Sequence, residues 1–276
     1  MSIEDVCQAP IGVFDSGVGG LTVVREIMRQ IPNERIVYFG DTARVPYGSK
    51  SKEVVTRYSR QIIRFLRTQN VKAIVIACNT ASAMALEEIE KEIDIPIIGV
   101  VRPGAKVAAD ATHNGKIGVI ATDATIGSNV YLEYIQQINP NVQVIGKACP
   151  LFCPLIEEGL LKDPVTDEIA MRYLTELIDI DIDTLILGCT HYPLIRSTVG
   201  NIMGEKVTLV NPAYETAREL KELLVAEHIL NETKVGLGTN KYQFFVSDGA
   251  KKFQTFANSI IKYGILSAKV INIEEY

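Results

Sequence analysis

Cys78 and Cys189 stand in matching surroundings. Ala73-Ile74-Val75-Ile76-Ala77 leads into Cys78-Asn79-Thr80, and Thr184-Leu185-Ile186-Leu187-Gly188 leads into Cys189-Thr190. Each aliphatic run reads as a buried strand, so each cysteine marks the point where a strand hands over to a loop. A lone cysteine in such a place is ordinarily a small buried hydrophobe. Two in equivalent positions, each with a threonine close behind, suit a symmetric reaction instead. Taking a proton from one face of a tetrahedral carbon and returning one to the opposite face inverts its configuration. That exchange needs two acid/base groups across the substrate. Thiolate and thiol would swap roles for the enantiomer.

The neighbouring residues fit this chemistry. Thr80 is placed to cap a helix beginning near Ala81, and Pro193 suits the first turn of a helix after Cys189-Thr190-His191-Tyr192. A thiol at a helix N-terminus feels the positive end of the dipole, which predicts a pKa below the ordinary value of about 8.5. The same free N–H groups can hold a substrate carboxylate. Asp15-Ser16-Gly17-Val18-Gly19-Gly20 is neither a dinucleotide fingerprint nor a P-loop, since Thr22 stands where a third glycine belongs and no Gly-Lys-Ser/Thr follows. The loop still lets a ligand approach the backbone. Asp15 can accept a substrate ammonium, set the proton state of Cys78, or simply form the turn. His191, two residues beyond Cys189, can tune that thiol, whereas His113 and His228 read as surface residues. Cys149 and Cys153 lack the second Cys/His pair of a closed metal site and read as packed thiols, so no metal is expected. Cys7 falls in a terminus expected to fray.

Strand-like runs at Ile11–Phe14, Ile36–Phe39, Ala73–Ala77, Ile97–Val100, Lys116–Ile120, Val142–Gly146, Thr184–Leu187 and Val207–Val210 alternate with helix-like stretches such as Leu21–Gln30, Lys52–Gln69 and Ala81–Ile93. Such alternation predicts an α/β protein with doubly wound, mostly parallel sheets flanked by helices. Ile11-Gly12-Val13 recurs as Ile117-Gly118-Val119, at nearly the same offset as the cysteine runs. Two pseudo-symmetric lobes facing each other follow, with the active site at their interface. The predicted first lobe is 1–101 together with 213–276, and the second is 102–212. The chain breaks at Arg102-Pro103-Gly104 and at Asn211-Pro212. The tail offers a helix at Glu215–Glu227, a strand at Tyr242–Val246 and a helix near Lys251–Tyr263.

Composition narrows the function classes. With 47% hydrophobic and 22% charged residues over 276, the chain is that of an ordered globular protein. A net charge of −5 argues against nucleic acid or an anionic membrane as a principal partner. Arg57, Arg60, Arg64 and Arg67 recur at helical spacing and read as a solvated face. The N-terminus lacks a basic start followed by an apolar stretch, and no apolar run reaches the ~18 residues of a spanning helix. Five cysteines at low density fit free thiols in a cytoplasmic protein.

Asp15-Ser16-Gly17-Val18-Gly19-Gly20-Leu21, Gly40-Asp41-Thr42-Ala43-Arg44, Pro46-Tyr47-Gly48, Ala77-Cys78-Asn79-Thr80-Ala81 and Gly188-Cys189-Thr190-His191-Tyr192-Pro193, in this order and spacing, closely resemble the bacterial glutamate racemases. The resemblance runs from Ile11 to about Arg218. It implies an isomerase that interconverts L- and D-glutamate with neither PLP nor a metal, supplies D-glutamate for peptidoglycan, and works as a homodimer. It also implies that Cys78 and Cys189 are the catalytic acid/bases, with Asp15 assisting Cys78, and with His191 and Glu157 assisting Cys189. Substrate contacts implied are Asp15, Ser16, Tyr47, Gly48, Asn79, Thr80, Thr122, Thr125, Thr190 and His191. One departure is Cys153, where an aliphatic residue is familiar in the family; it reads as a packing change.

An aspartate racemase of the same superfamily is the nearest alternative, because pocket shape and not motif spacing decides side-chain length. A cysteine hydrolase built on Cys189 and His191 would leave Cys78 without a purpose. A two-lobed binding protein would generally carry an export signal.

Overall fold

The computed structural model describes residues 3–233, 241–261 and 267–276. Ten strands are seen among them: β1 Ile11–Asp15, β2 Ile36–Gly40, β3 Ala73–Ile76, β4 Ile97–Gly99, β5 Lys116–Ala121, β6 Gln143–Ala148, β7 Thr184–Gly188, β8 Thr208–Val210, β9 Tyr242–Val246 and β10 Lys269–Val270. They form a six-stranded sheet of order β10-β9-β2-β1-β3-β4 and a four-stranded sheet of order β6-β5-β7-β8, with every pairing parallel. The predicted α/β class with parallel sheets flanked by helices is what the chain adopts.

The order β2-β1-β3-β4 in one sheet is repeated as β6-β5-β7-β8 in the other. The Ile-Gly-Val echo falls on β1 and β5, and the cysteine echo follows β3 and β7. The internal repeat is thus one of topology as well as sequence.

β1, β3, β5 and β7 are buried on both faces, which explains why they read as continuous aliphatic runs instead of alternating ones. On one face of the six-stranded sheet, Val13 and Val75 pack with Ile27 of the helix Leu21–Gln30 and with Leu220 and Leu224 of the helix Pro212–Ala226. On the other, Phe14 and Ile74 meet Ile62 and Leu66 of the helix Lys52–Thr68. In the second sheet, Ile120 and Leu185 pack on Leu174 and Leu177, and Val119 and Ile186 on Ala105 and Ile135. Each such isoleucine or leucine contributes about 1.5–3 kcal/mol by leaving water.

Several boundaries move for local reasons. The helix expected from Ala81 begins at Asn79, because Cys78 rather than Thr80 is its cap. The helix expected from Glu215 begins at Pro212, where Asn211 accepts the Ala213 N–H and proline occupies the first turn. Arg102-Pro103-Gly104 is not a break. It lies in the first turn of the helix Val101–Ala111, where a missing proline N–H leaves no intrahelical bond unmade. Arg102 there grips Glu90 through two 2.8 Å bonds and reaches the Tyr134 hydroxyl at 2.9 Å. Cys7 is not frayed: it lies on the helix Ile3–Gln8, and its carbonyl accepts Lys72 Nζ at 2.6 Å. β9 adds to β2, and the helix expected near Lys251–Tyr263 runs from Ala250 to Ile260, its predicted last residues lying outside the described ones. On the arginine face, Arg60 pairs with Glu88 and Glu92, Arg67 with Asp94, and Arg64 donates to the Tyr276 carbonyl.

Candidate active site

In an open parallel sheet, the crevice for a ligand lies beyond the carboxyl ends of the two strands at which the winding reverses. Here these are β1 and β3 in one sheet, and β5 and β7 in the other. Asp15 closes β1, Cys78 follows β3, Thr122 follows β5 and Cys189 follows β7. The repeated topology therefore sends four chemically useful side chains to equivalent places.

Cys78 Sγ accepts the Ala81 N–H at 3.5 Å and lies 3.5 Å from Ser16 Oγ. Burial, followed by the charge of Asp15, pushes this thiol up to about 12 against the opposing effect of its hydrogen bonds with Ala81 and Ser16. The sequence predicted a lowered thiol. One long N–H···S bond at a helix start is too weak to offset desolvation beside a carboxylate. Asp15 is itself fully buried. Burial raises its carboxyl, while His191 and the N–H groups of Gly17 and Gly20 pull the other way. Its Oδ2 accepts the Gly17 N–H at 3.0 Å, so forming the turn and facing Cys78 are one arrangement.

Cys189 Sγ lies 3.7 Å from His191 Nδ1, and His191 Nε2 lies 3.0 Å from Glu157 Oε1. The second thiol thus heads a relay of imidazole and carboxylate. Burial disfavours a charged His191, but the bonds to Cys189 and Glu157 carry its pKa up to about 10. Glu157 is held below the usual carboxylate range by His191. Cys189 is pushed up, first by Cys153 and then by burial, with His191 opposing.

Cys153 is the neighbour the sequence reading missed. Its Sγ is 3.5 Å from Cys189 Sγ, so it meets that thiol directly and is more than a packing change. It shares the helix Phe152–Glu157 with Glu157, four residues on, and an i,i+4 pair faces the same way. With the family resemblance placing Glu157 on the Cys189 side, that spacing is the signal the sequence carries for Cys153. Cys149 is buried elsewhere, with its Sγ 3.6 Å from the Lys147 carbonyl. Cys153 Sγ, Cys189 Sγ and a ring nitrogen of His191 lie within 4.8 Å of one another, a set able to hold a metal.

Residues from the two sheets meet around these thiols. The hydroxyls of Thr80, Thr122 and Thr125 form a triangle with sides of 3.0–3.1 Å. Thr80 therefore ties one lobe's helix start to the other's. Tyr131 donates to Asn79 Oδ1 at 2.7 Å, and Thr22 Oγ1 donates to the Thr190 carbonyl at 2.9 Å. Thr190 Oγ1 lies 3.5 Å from Asp15 Oδ1. Gly19 and Gly48 are needed for close approach: an added Cβ at Gly19 would come within 2.3 Å of Thr190 Oγ1, and at Gly48 within 2.7 Å of Thr122 Cβ. Tyr47 is buried, with its hydroxyl donating to Asp41. Of the predicted residues, Glu157 reaches Cys189 only through His191, and Tyr47 is turned towards Asp41; the others converge. His113 and His228 are exposed.

Two parallel sheets of matching order, each presenting a thiol, define a class. The chain belongs to the Asp/Glu/Hydantoin racemase family, whose model matches residues 11–220. It is a racemase of the cofactor-independent kind, an isomerase. Over 251 residues it is 49% identical to a glutamate racemase of Geobacter metallireducens, covering 91% of this chain and 92% of that protein. The crystal structure of a glutamate racemase isoform from Bacillus anthracis superposes with a TM-score of 0.91 at 41% identity, covering 95% of this chain and 97% of that one. A glutamate racemase from Francisella tularensis, solved in complex with D-glutamate, gives a TM-score of 0.90 at 39% identity over 98% of this chain and all of that one.

Proposed function

We propose that this protein interconverts L- and D-glutamate by a two-thiol proton exchange, and so supplies D-glutamate for peptidoglycan. The observation that carries the mechanism is the pair of thiols at equivalent switch points, each with its own charged assistant: Asp15 for Cys78, and the His191–Glu157 relay for Cys189. The glutamate racemases among its relatives support the substrate. Asp15, Ser16, Asn79, Thr80, Thr122, Thr125 and Thr190 hold the substrate between the lobes, with the first-turn N–H groups after Cys78 facing its α-carboxylate. Tyr47 and Gly48 shape the wall beside Thr122.

One thiolate removes the α-proton and the opposite thiol delivers its own, leaving the inverted product and the proton states exchanged. A thiol held high is a strong base once ionised. The substrate ammonium, arriving beside Asp15, supplies the positive charge that favours a thiolate at Cys78. On the other side, the charged His191 does the same for Cys189.

The lobes are proposed as 1–101 with 213–276, and 102–212. β9 pairing with β2 supports the first and the β5–β8 order the second. A homodimer in the cytoplasm completes the proposal; the five free cysteines suit a reducing compartment. No described helix is long and apolar enough to cross a membrane.

The test is isotope exchange. Freshly reduced enzyme given either glutamate enantiomer in D₂O, without added cofactor, is expected to place deuterium at Cα of the product, read by mass spectrometry or proton NMR. Inversion without exchange, or no turnover of either enantiomer, would sink the two-base reading. Aspartate in the same assay is expected to turn over far more slowly.

A further inference from the structure

The proposed exchange gives Cys153 no proton to carry, yet its sulfur is set 3.5 Å from that of Cys189. We propose that Cys153, Cys189 and His191 form a binding site for a thiophilic divalent cation of the Zn²⁺ class, and that occupation of this site switches racemisation off. Only the second half rests on the two-thiol reading of Cys189.

The geometry is that of a partly built tetrahedron. Zinc binds thiolate at about 2.3 Å and imidazole at about 2.0 Å, so tetrahedral geometry sets two sulfurs about 3.8 Å apart and a sulfur and a nitrogen about 3.5 Å apart. Cys153 and Cys189 lie 3.5 Å apart, and His191 Nδ1 is 3.7 Å from Cys189 Sγ. Small side-chain adjustments complete the three sites. His191 is already oriented as metal-bound histidines are, since its other nitrogen lies 3.0 Å from the Glu157 carboxylate. Cys153 is half-buried while Cys189 and His191 are buried. The fourth position is left for water.

Charge completes the argument. Two thiols and the His191 imidazolium each surrender one proton to solvent as the cation binds, so that two thiolates and a neutral imidazole become its ligands. The two thiolates cancel the charge of the cation, and the Glu157 carboxylate keeps the N–H of the neutral imidazole. Cys189, its charge drawn to the metal, is too weak a base to take an α-proton and carries none to return.

The experiment uses the full-length enzyme reduced with a phosphine that is then removed, and Cys153→Val beside it. Co²⁺ is the spectroscopic probe and Zn²⁺ the inhibitor. The wild type is expected to bind one Co²⁺ with thiolate charge-transfer absorption and tetrahedral d–d bands. Zn²⁺ is expected to displace the Co²⁺ and to inhibit racemisation reversibly, with EDTA restoring it. Cys153→Val is expected to racemise without added metal, to lose the thiolate absorption, and to need at least about tenfold more Zn²⁺ for half inhibition. The proposal is overturned if the wild type shows no cobalt–thiolate absorption, or if Cys153→Val binds cobalt and responds to zinc as the wild type does. Metal bound by an enzyme that never racemises glutamate would refute the substrate assignment and leave the metal site standing.

Discussion

Gly19→Ala is the substitution on which the closeness of the lobes can be judged. Gly19 lies in the loop after β1, and a methyl there would stand 2.3 Å from Thr190 Oγ1 and 2.5 Å from His191 Nδ1. Restoring an ordinary contact moves those atoms by about 1 Å, a displacement that typically costs about 10²-fold in rate when it misplaces reacting groups. His191 cannot turn freely, being held by Cys189 on one nitrogen and Glu157 on the other. We therefore expect kcat to fall by about 10²-fold in both directions, or about 2.7 kcal/mol of barrier. Overpacking should cost about 1–3 kcal/mol of stability, a few degrees in Tm, leaving a folded protein. The control is Gly127→Ala, where an added Cβ meets nothing within 4 Å. Racemisation followed by circular dichroism and thermal melts on both variants provide the readout. If Gly19→Ala keeps kcat within about threefold of wild type with its fold intact, the inference that this contact positions His191 and Thr190 is wrong.

Cys78→Ala and Cys189→Ala should each reduce racemisation by ~10³-fold or more, because neither face can then complete the exchange; wild-type turnover by either variant in the same assay would exclude the two-thiol mechanism. Lys72→Met should destabilise by about 3–5 kcal/mol in urea titrations. It would strand the buried Glu34 carboxylate, which now lies 2.7 Å from Lys72 Nζ with both side chains almost fully enclosed. A loss under 1 kcal/mol would show that the pair contributes little. Asp183 supplies a pH test. Burial alone would raise its carboxyl, but bonds from Thr112, Asn114, His113 and Thr184 outweigh burial and hold the pKa below its usual value. The stability it confers is therefore present above the unfolded value of about 3.9 and is lost as pH falls through the depressed folded value. Asp183→Asn should be less stable than the wild type at neutral pH, and this gap should close in acid; a gap that stays constant with pH would contradict the assignment.

Much of the architecture was legible because strands buried on both faces must be continuously aliphatic. β1, β3, β5 and β7 each lie within a residue or two of the aliphatic runs that predict them, and the repeated runs correspond to two sheets of matching order. What periodicity could not supply was end chemistry. Whether Cys78 or Thr80 caps the helix at Asn79 depends on where their side chains point, and Thr80 is drawn away by hydroxyls on the opposite lobe. Pro103 read as a break because proline ends helices, yet in a first turn it costs none of the ladder.

The site divides in the same way. Residue type and spacing alone pointed to Cys78 and Cys189 as a symmetric pair and placed His191 beside the second, since these follow from short stretches of chain. The raised thiols, the relay from Cys189 through His191 to Glu157, and the sulfur of Cys153 against Cys189 were decided only when distant segments packed together. Burial and through-space charge are properties of the enclosed site, and no stretch of sequence carries them by itself. The sequence determined which atoms are candidates for the proposed proton exchange; the tertiary structure decided which charges and hydrogen-bond partners surround each of them.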